Sequence, residues 1–413
     1  MADLAVLRRG LGAAVEVREA GEADAVDGVP ARVVARPGTV EGVSAVLREA
    51  GRAGLVTVVR GGGTALDWGA PPERVDVLLD MTALDRVVEH VAGDLVVVAE
   101  AGISVRALAG AVADAGQELL TDVPADRREA GSTVGGALAT GTSGPRRLQR
   151  LALRDMLLGA TVVLADGTVA RSGGKVVKNV AGYDLARMMT GSYGTLAVVV
   201  RAALRLHPVR PAHRFVLRTG PVEEVAALGR AVVASQLAPS AVEIDRPAGS
   251  EVATVAVLLE GTPDAVATRA ARAAELIGGA PGEQPPWWGR LPGGDALAKA
   301  TATLTGVRML LETARASEER HGAGVALRGS AMGALHAGIT VPGPEELGRV
   351  VADLRAAAPT PREGTVVVLR ASRELRAGLD AWGPVPGLDL MRSIKEQLDP
   401  GRALAPGRFV GGI

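Results

Sequence analysis

Residues 171–200 read RSGGKVVKNVAGYDLARMMTGSYGTLAVVV. The stretch is punctuated by glycine, holds both tyrosines of the chain, and runs into an apolar, β-branched end. A buried strand needs no such approach. Glycine allows positive φ and lets backbone N–H groups come close to a ligand, so the pattern asks what is held against the main chain. Two further glycine clusters lie upstream, RGGGTALDWG at 60–69 and STVGGALATGTSG at 132–144. Consecutive N–H groups form an anion nest, and two such loops facing each other would grip a pyrophosphate. Neither continues into Gly-Lys-Ser/Thr, which excludes a P-loop. The first has neither GxGxxG spacing nor an acidic residue placed as a dinucleotide fingerprint requires.

The 413 residues are too many for one small core, and two domains are the natural expectation. Apolar residues make up 47% and aromatics only 2%, so the cores must be built from Val, Leu and Ala. Acidic and basic residues balance at 46 each, against the basic excess of a nucleic-acid binder. The absence of cysteine removes disulfides, thiolate nucleophiles and iron–sulfur ligation from this chain. Electrons passing through it need an organic cofactor. The N-terminus is broken by charges and glycines, unlike a signal peptide, and no run reaches the length of a membrane span. The expectation is a cytoplasmic protein with no transmembrane segment.

Strand-like and helix-like segments alternate. ARVVARP reads as a strand, and Thr39 caps a helix that ends at Gly54. LVTVVR, RVDVLLD and DLVVVAE are further strands, and Ser104 caps a helix that ends at Gly116. GATVVLADGTVARSGG is a hairpin turning at Asp166-Gly167. Prolines in RLHPVRPAH, residues 205–213, mark a boundary. Beyond it, strand–helix–strand units predict a sheet with helices on one face, and residues 278–296, with Trp287 and Trp288, read as a loop. The expected class is α+β.

Arg60-Gly61-Gly62-Gly63-Thr64 resembles the first pyrophosphate loop of FAD-binding proteins of the vanillyl-alcohol-oxidase / p-cresol methylhydroxylase (PCMH) type. Thr133-Val134-Gly135-Gly136, with Ala139-Thr140-Gly141, is similar to their second FAD loop. LRDMLLGATVVLADGTV and GGKVVKNVAGYDLARMMTGSYGTLAVV continue the resemblance in order and spacing. The tail LDPGRALAPGRF resembles their C-terminal flavin-contacting arm. Within the family the likeness is to the glycolate oxidase FAD-binding subunit of GlcE type, carried by Gly144-Pro145-Arg146-Arg147 with KNVAGYDL.

The resemblance implies an N-terminal segment at 1–29 and a PCMH-type FAD-binding domain of two subdomains at 30–208. An α/β cap would follow at 209–375 and an arm returning to FAD at 376–413. It implies FAD bound by the two loops with Asp67 and Pro124, and by Asn179, Gly182, Tyr183 and Asp184 near the flavin. Gly191, Gly194, Thr195, Val199 and Arg408 complete the set. Ala197 stands where the family often has glycine. Thr64 stands where some relatives attach flavin covalently through histidine, and no cysteine exists, so FAD is expected to be non-covalent.

Catalytic relatives carry GHxGDGNxH. The corresponding stretch here is RGSAMGALHAGI, where only His336 remains, with Gly329, Met332 and Ala334 at the other positions. One histidine makes no typical metal site, and none is expected. His336 is the candidate catalytic residue, against the plainer reading of a half-buried strand residue. His90, His207, His213 and His321 show no ligand spacing. Glu243 is a second candidate near the cap site, or an edge-of-strand charge. The resemblance implies a complex with a catalytic FAD subunit of GlcD type and an iron–sulfur subunit of GlcF type, peripheral to the inner membrane through those partners. The complex would oxidise a small hydroxy acid, glycolate or D-lactate. A self-sufficient flavin oxidase and a subunit with purely structural FAD remain open at this point.

Overall fold

The computed structural model describes all residues except 1–6, 8, 9, 12–14, 120, 121, 176–183, 359 and 361. The chain forms two units. One comprises Met1–Ser143, Ala152–Val209 and Gly387–Ile413, the other Gly144–Leu151 and Arg210–Pro386. Residues 144–151 therefore leave the first unit and return to it, an excursion that the sequence pattern does not announce.

The first unit holds β1 (Val15–Glu19), β2 (Ala31–Pro37), β3 (Thr57–Arg60) and β4 (Val75–Asp80) in one sheet, ordered β1-β2-β4-β3. β2 and β3 both run parallel to β4, so a crossover must join them. The helix Val40–Arg52 provides it, started by the Thr39 hydroxyl, which accepts from Gly42 N at 3.0 Å. Its Val43, Val46 and Leu47 pack with Val33, Val77 and Leu79.

A second sheet contains β5 (Val87–Val91), β6 (Val96–Glu100), β8 (Leu157–Val163), β9 (Val169–Gly173) and β10 (Val198–Arg205), ordered β5-β6-β10-β8-β9 and antiparallel throughout. β7 (Gln117–Glu118) and β11 (His207–Pro208) pair separately. Helices Val105–Ala113 and Val134–Thr140 supply Leu108, Val112 and Leu138 to the core shared with Val97, Ala99 and Leu204 on one face. Period-two alternation leaves Val98, Thr161, Arg201 and Ala203 on the other.

The tail returns to this unit. After the helix Leu388–Leu398, the chain runs beside β3: Thr57 N donates to Ala403 O at 2.7 Å and Ala405 N to Thr57 O at 3.0 Å. Lys395, 4% exposed, donates through Nζ to Thr195 O at 2.7 Å, Leu404 O at 2.9 Å and the Asp399 carboxylate at 2.6 Å. Asp399 also accepts from the N–H groups of Ala403 and Leu404. A buried pair persists only when its remaining lone pairs and protons are matched in this way.

The second unit is one antiparallel sheet of β12 (Ala212–Pro221), β13 (Ala241–Arg246), β14 (Val252–Gly261), β15 (Ala280–Gly282), β16 (Ala296–Ala302), β17 (Gly324–Ser330), β18 (Ala334–Thr340) and β19 (Gly364–Ala371). Its order is β15-β12-β14-β13-β17-β18-β16-β19. Helices Val222–Ala234, Pro263–Ile277, Gly306–His321 and Pro344–Ala356 bury their apolar faces in a common core with alternate strand residues such as Val242, Ala298, Leu327 and Leu335. The short β15 falls within the stretch that the sequence pattern reads as a loop.

Lys395→Met leaves Asp399 charged and buried with one partner removed. The expected loss is about 3 kcal/mol, measured by urea unfolding of the full chain.

Candidate functional site

β3 delivers the chain into the first glycine loop. The Arg60 side chain does not face a ligand: its guanidinium holds Asp80 at 2.7 Å and Asp24 at 2.9 Å. The Arg18 hydrogen bond, helped by Gly21 N–H and Arg60, holds the Asp24 carboxyl far below its ordinary range. Burial alone would raise Asp80, but bonds from Thr82 and Arg60 outweigh it and leave its carboxyl below the ordinary range. Arg60 thus anchors the start of the loop.

The loop itself offers donors. Among the described residues, no backbone N–H from Gly61 through Ala65 donates to an acceptor in the chain. Backbone donors are normally matched, and a run of consecutive unmatched ones is an anion nest. The loop lies hard against the second cluster. A Cβ on Gly61 would sit 2.1 Å from the Thr133 hydroxyl, and one on Gly62 would sit 2.0 Å from Gly131 O.

The second cluster contributes differently from expectation. Val134 N donates to Ile103 O at 3.0 Å, Gly135 N to Ala101 O at 2.7 Å, and Gly136 N to the Thr133 hydroxyl at 3.2 Å. The N–H groups that begin the helix Val134–Thr140 are therefore engaged within the chain, and this loop presents a surface rather than a second set of donors. Thr140 is engaged too, its hydroxyl donating to Gly136 O at 2.9 Å. Gly141 closes the helix at positive φ.

Residues 191–199 complete a cleft. Gly191 N and Tyr193 N each donate at 2.9 Å to the end of the helix, at Leu138 O and Ala139 O. The cleft lining includes Gly61, Thr133, Gly136, Ala139, Gly194 and Val199. Three clusters far apart in sequence meet there. Ala197 lines it as well and is buried, so its methyl is accommodated. Thr195 is buried beside it, its carbonyl held by Lys395.

Of the remaining expected residues, Asn179, Gly182 and Tyr183 lie outside the described residues. Asp184 caps the helix Leu185–Met188, accepting from Arg187 N at 3.2 Å. Pro124 precedes the helix Ala125–Glu129. Gly63, Thr64 and Asp67 belong to the first loop and its following turn. Arg408 is a brace: it donates to Leu66 O at 2.9 Å and Trp68 O at 2.7 Å, fixing the far end of that loop.

Sequence reasoning missed the layer behind the loop. Trp68 is buried, with Arg127 stacked 3.7 Å over its ring. Tyr193 packs on Phe409, ring centroids 5.8 Å apart. Burial pushes its phenol up to about 12, against the opposing pull of Arg408 and Arg127. In a chain so poor in aromatics, their recurrence in these glycine segments and the tail was the available signal.

The second unit carries a charged row on the sheet face opposite its helices. Asp245 stands in register with Arg328, Arg328 with His336, and His336 with Lys299. Arg328 bonds Asp245 at 2.6 Å. Burial still raises the Asp245 carboxyl, and burial together with Arg147 lowers the Lys299 ammonium. His336 therefore has cations on both sides, where a metal site would need anionic or neutral donors. Glu243, opposite Ser330, is buried.

Residues 31–173 match the family model of the FAD binding domain. The chain is 28% identical over 426 aligned positions to an FAD-linked oxidoreductase of Mycobacterium tuberculosis, covering 91% of this chain and 90% of that one. It is 37% identical over 176 residues to a D-lactate dehydrogenase of Archaeoglobus fulgidus, covering 43% of this chain and 39% of the relative. It is 39% identical over 140 residues to glycolate oxidase subunit GlcE of Escherichia coli, covering 34% and 39%. The chain thus spans about two fifths of the length of the latter two. Among solved structures, p-cresol methylhydroxylase with substrate bound superposes with a TM-score of 0.73 at 16% identity, over 98% of this chain and 96% of that one. The chain carries an FAD binding domain, its cofactor is FAD, and its fold is that of the PCMH-type flavoproteins.

Gly62→Asp places bulk against Gly131 O and a negative charge in the nest. The purified parent chain is expected to show a visible flavin band and the variant to lack it. A spectrophotometric titration compared with Tyr193→Phe tests the buried phenol. Tyr193 is expected to ionise near 12 rather than at its ordinary 10.0. Because its folded pKa is raised, stability that is level below pH 10.0 should decline as pH rises towards 12.

Proposed function

We propose that this FAD-dependent oxidoreductase is the FAD-binding subunit of a glycolate-oxidase-type 2-hydroxy-acid dehydrogenase, working beside a catalytic flavin subunit and an iron–sulfur subunit. The likeness to GlcE supports the subunit assignment. The observation that carries the accessory role is His336 set between Lys299 and Arg328, which turns the position retained from GHxGDGNxH into a cation-flanked histidine. The chain has no cysteine with which to hold an iron–sulfur relay of its own. Attachment to the inner membrane would run through the partners.

The residues present fit FAD. The unmatched donors from Gly61 to Ala65 suit a pyrophosphate, and the glycine contacts leave room for it only at backbone level. Arg60 and Arg408 orient that loop from its two ends, and Lys395 fixes Thr195 beside it. FAD, when bound, supplies the two-electron acceptor for oxidation of an alcohol to a carbonyl. Glycolate and D-lactate are the proposed substrate class of the complex.

A second reading, a self-sufficient hydroxy-acid oxidoreductase, draws on the perturbed pair Lys299 and Asp245 on one sheet face, since shifted titratable groups cluster at reactive sites. Anaerobic addition of glycolate or D-lactate to the purified chain separates the two. The flavin band is expected to persist with the chain alone and to bleach once companion subunits are present. Bleaching of the isolated chain would establish the second reading instead. Full activity of an assembled complex carrying the flavin-free Gly62→Asp chain would assign the cofactor a structural role.

A further inference from the structure

The five-stranded sheet of the first unit buries one face and leaves part of the other open. Across that open face the register aligns two rows. One runs Arg171, Thr161, Arg201, Glu100. The next runs Gly173, Gly159, Ala203, Val98, Glu89, and its small side chains leave a trough of about 320 Å³. Gly174 folds over the trough, since a Cβ on Gly159 would lie 2.7 Å from its nitrogen. Lys175, beyond one edge strand, then ion-pairs with Glu89 on the other. Both side chains are more than a third exposed, so this strap is weak and able to open.

The charge of the face is one-sided. Glu100 is 0% exposed and shared by Arg86 at 2.9 Å and Arg201 at 3.5 Å. Burial would raise its carboxyl, but Arg86 and Arg201 outweigh that and hold it below the ordinary range, so it stays an anion already matched. Arg171 and Arg205, both exposed, have no carboxylate partner among the described residues. The whole chain is neutral, so this surplus is local.

We propose that the trough is a docking site for an extended acidic segment of a partner protein, its carboxylates on Arg171, Arg201 and Arg205 and its small apolar side chains on Val98 and Ala203. Five strands about 4.8 Å apart span about 19 Å, the length of about six extended residues. A trough that runs across the strands suits such a segment better than a compact anion. The flavin cleft is lined by other residues, so docking does not depend on the cofactor reading.

The test is fluorescence anisotropy of a labelled peptide alternating glutamate and leucine, titrated with the FAD-loaded full chain. Expected is saturable binding that weakens with salt, because the contacts lie at the surface. It should weaken roughly tenfold in an Arg171→Glu, Arg205→Glu variant whose flavin band is unchanged. Thr161→Glu is a second variant, standing in register between Arg171 and Arg201. It places a carboxylate in the row and is expected to abolish binding without loss of thermal stability. Equal binding of the alternating lysine–leucine peptide, no binding of the acidic one, or binding indifferent to both variants would overturn the proposal. Displacement by inorganic phosphate at equal concentration would assign the site to a small anion and overturn the peptide.

Discussion

Two backbone segments of the first unit lie closer than any side chain permits. At Gly61 and Gly62 the main chain meets Thr133 and Gly131 where even a methyl group would be about 2 Å from the opposing oxygen. The rest of the cleft follows from this contact. The loop from 61 to 65 can neither pair with β4 any longer nor coil into a helix, so its N–H groups turn outward unmatched. Such donors are tolerable only where water or an anion can reach them.

A donor-rich loop with no pairing of its own must be held from elsewhere, and the chain holds it from both ends. Arg60 is bound between Asp24 and Asp80, joining β3 to β4 and to the turn between β1 and β2. Arg408 crosses from the tail to the carbonyls of Leu66 and Trp68, and the tail is itself fastened to β3 and through Lys395 to Thr195. The last residues of the chain thus fix loops more than 300 positions upstream. Each bond is modest, about 1 kcal/mol net. Together they pre-organise donors that would otherwise lose entropy on meeting a ligand.

Much of this was legible in the sequence, for local reasons. Thr39 and Ser104 cap the helices that follow them, because capping needs only a hydroxyl three residues before an N–H. The glycine clusters mark the cleft, since backbone approach excludes side chains there. Non-local features were not legible. β5 and β16 carry charged residues and little alternation, and become strands because neighbours complete them. The engagement of Val134, Gly135 and Gly136 N–H with Ala101, Ile103 and Thr133 overturned the expectation of a second donor loop. The carbonyl of Thr195, one of the two that Lys395 holds, lies 200 residues away and leaves no pattern in sequence. The PCMH-type resemblance supplied the fold where periodicity could not.

Both units use the same antiparallel geometry to set charges in rows, and the chemistry of each row follows from its neighbours. In the second unit His336 is flanked by Lys299 and Arg328, which disfavours a further cation beside it. The same flanking makes the position hospitable to a carboxylate. In the first unit the row through Arg171 and Arg201 has one buried glutamate to satisfy it, so its outer cations face solvent. Small residues beneath them keep that surface open, because a larger side chain at Gly159 would strike Gly174. The glycines that let two loops meet at the cleft have their counterpart in glycines that keep this sheet face hollow, and in each place the missing side chain sets what can approach.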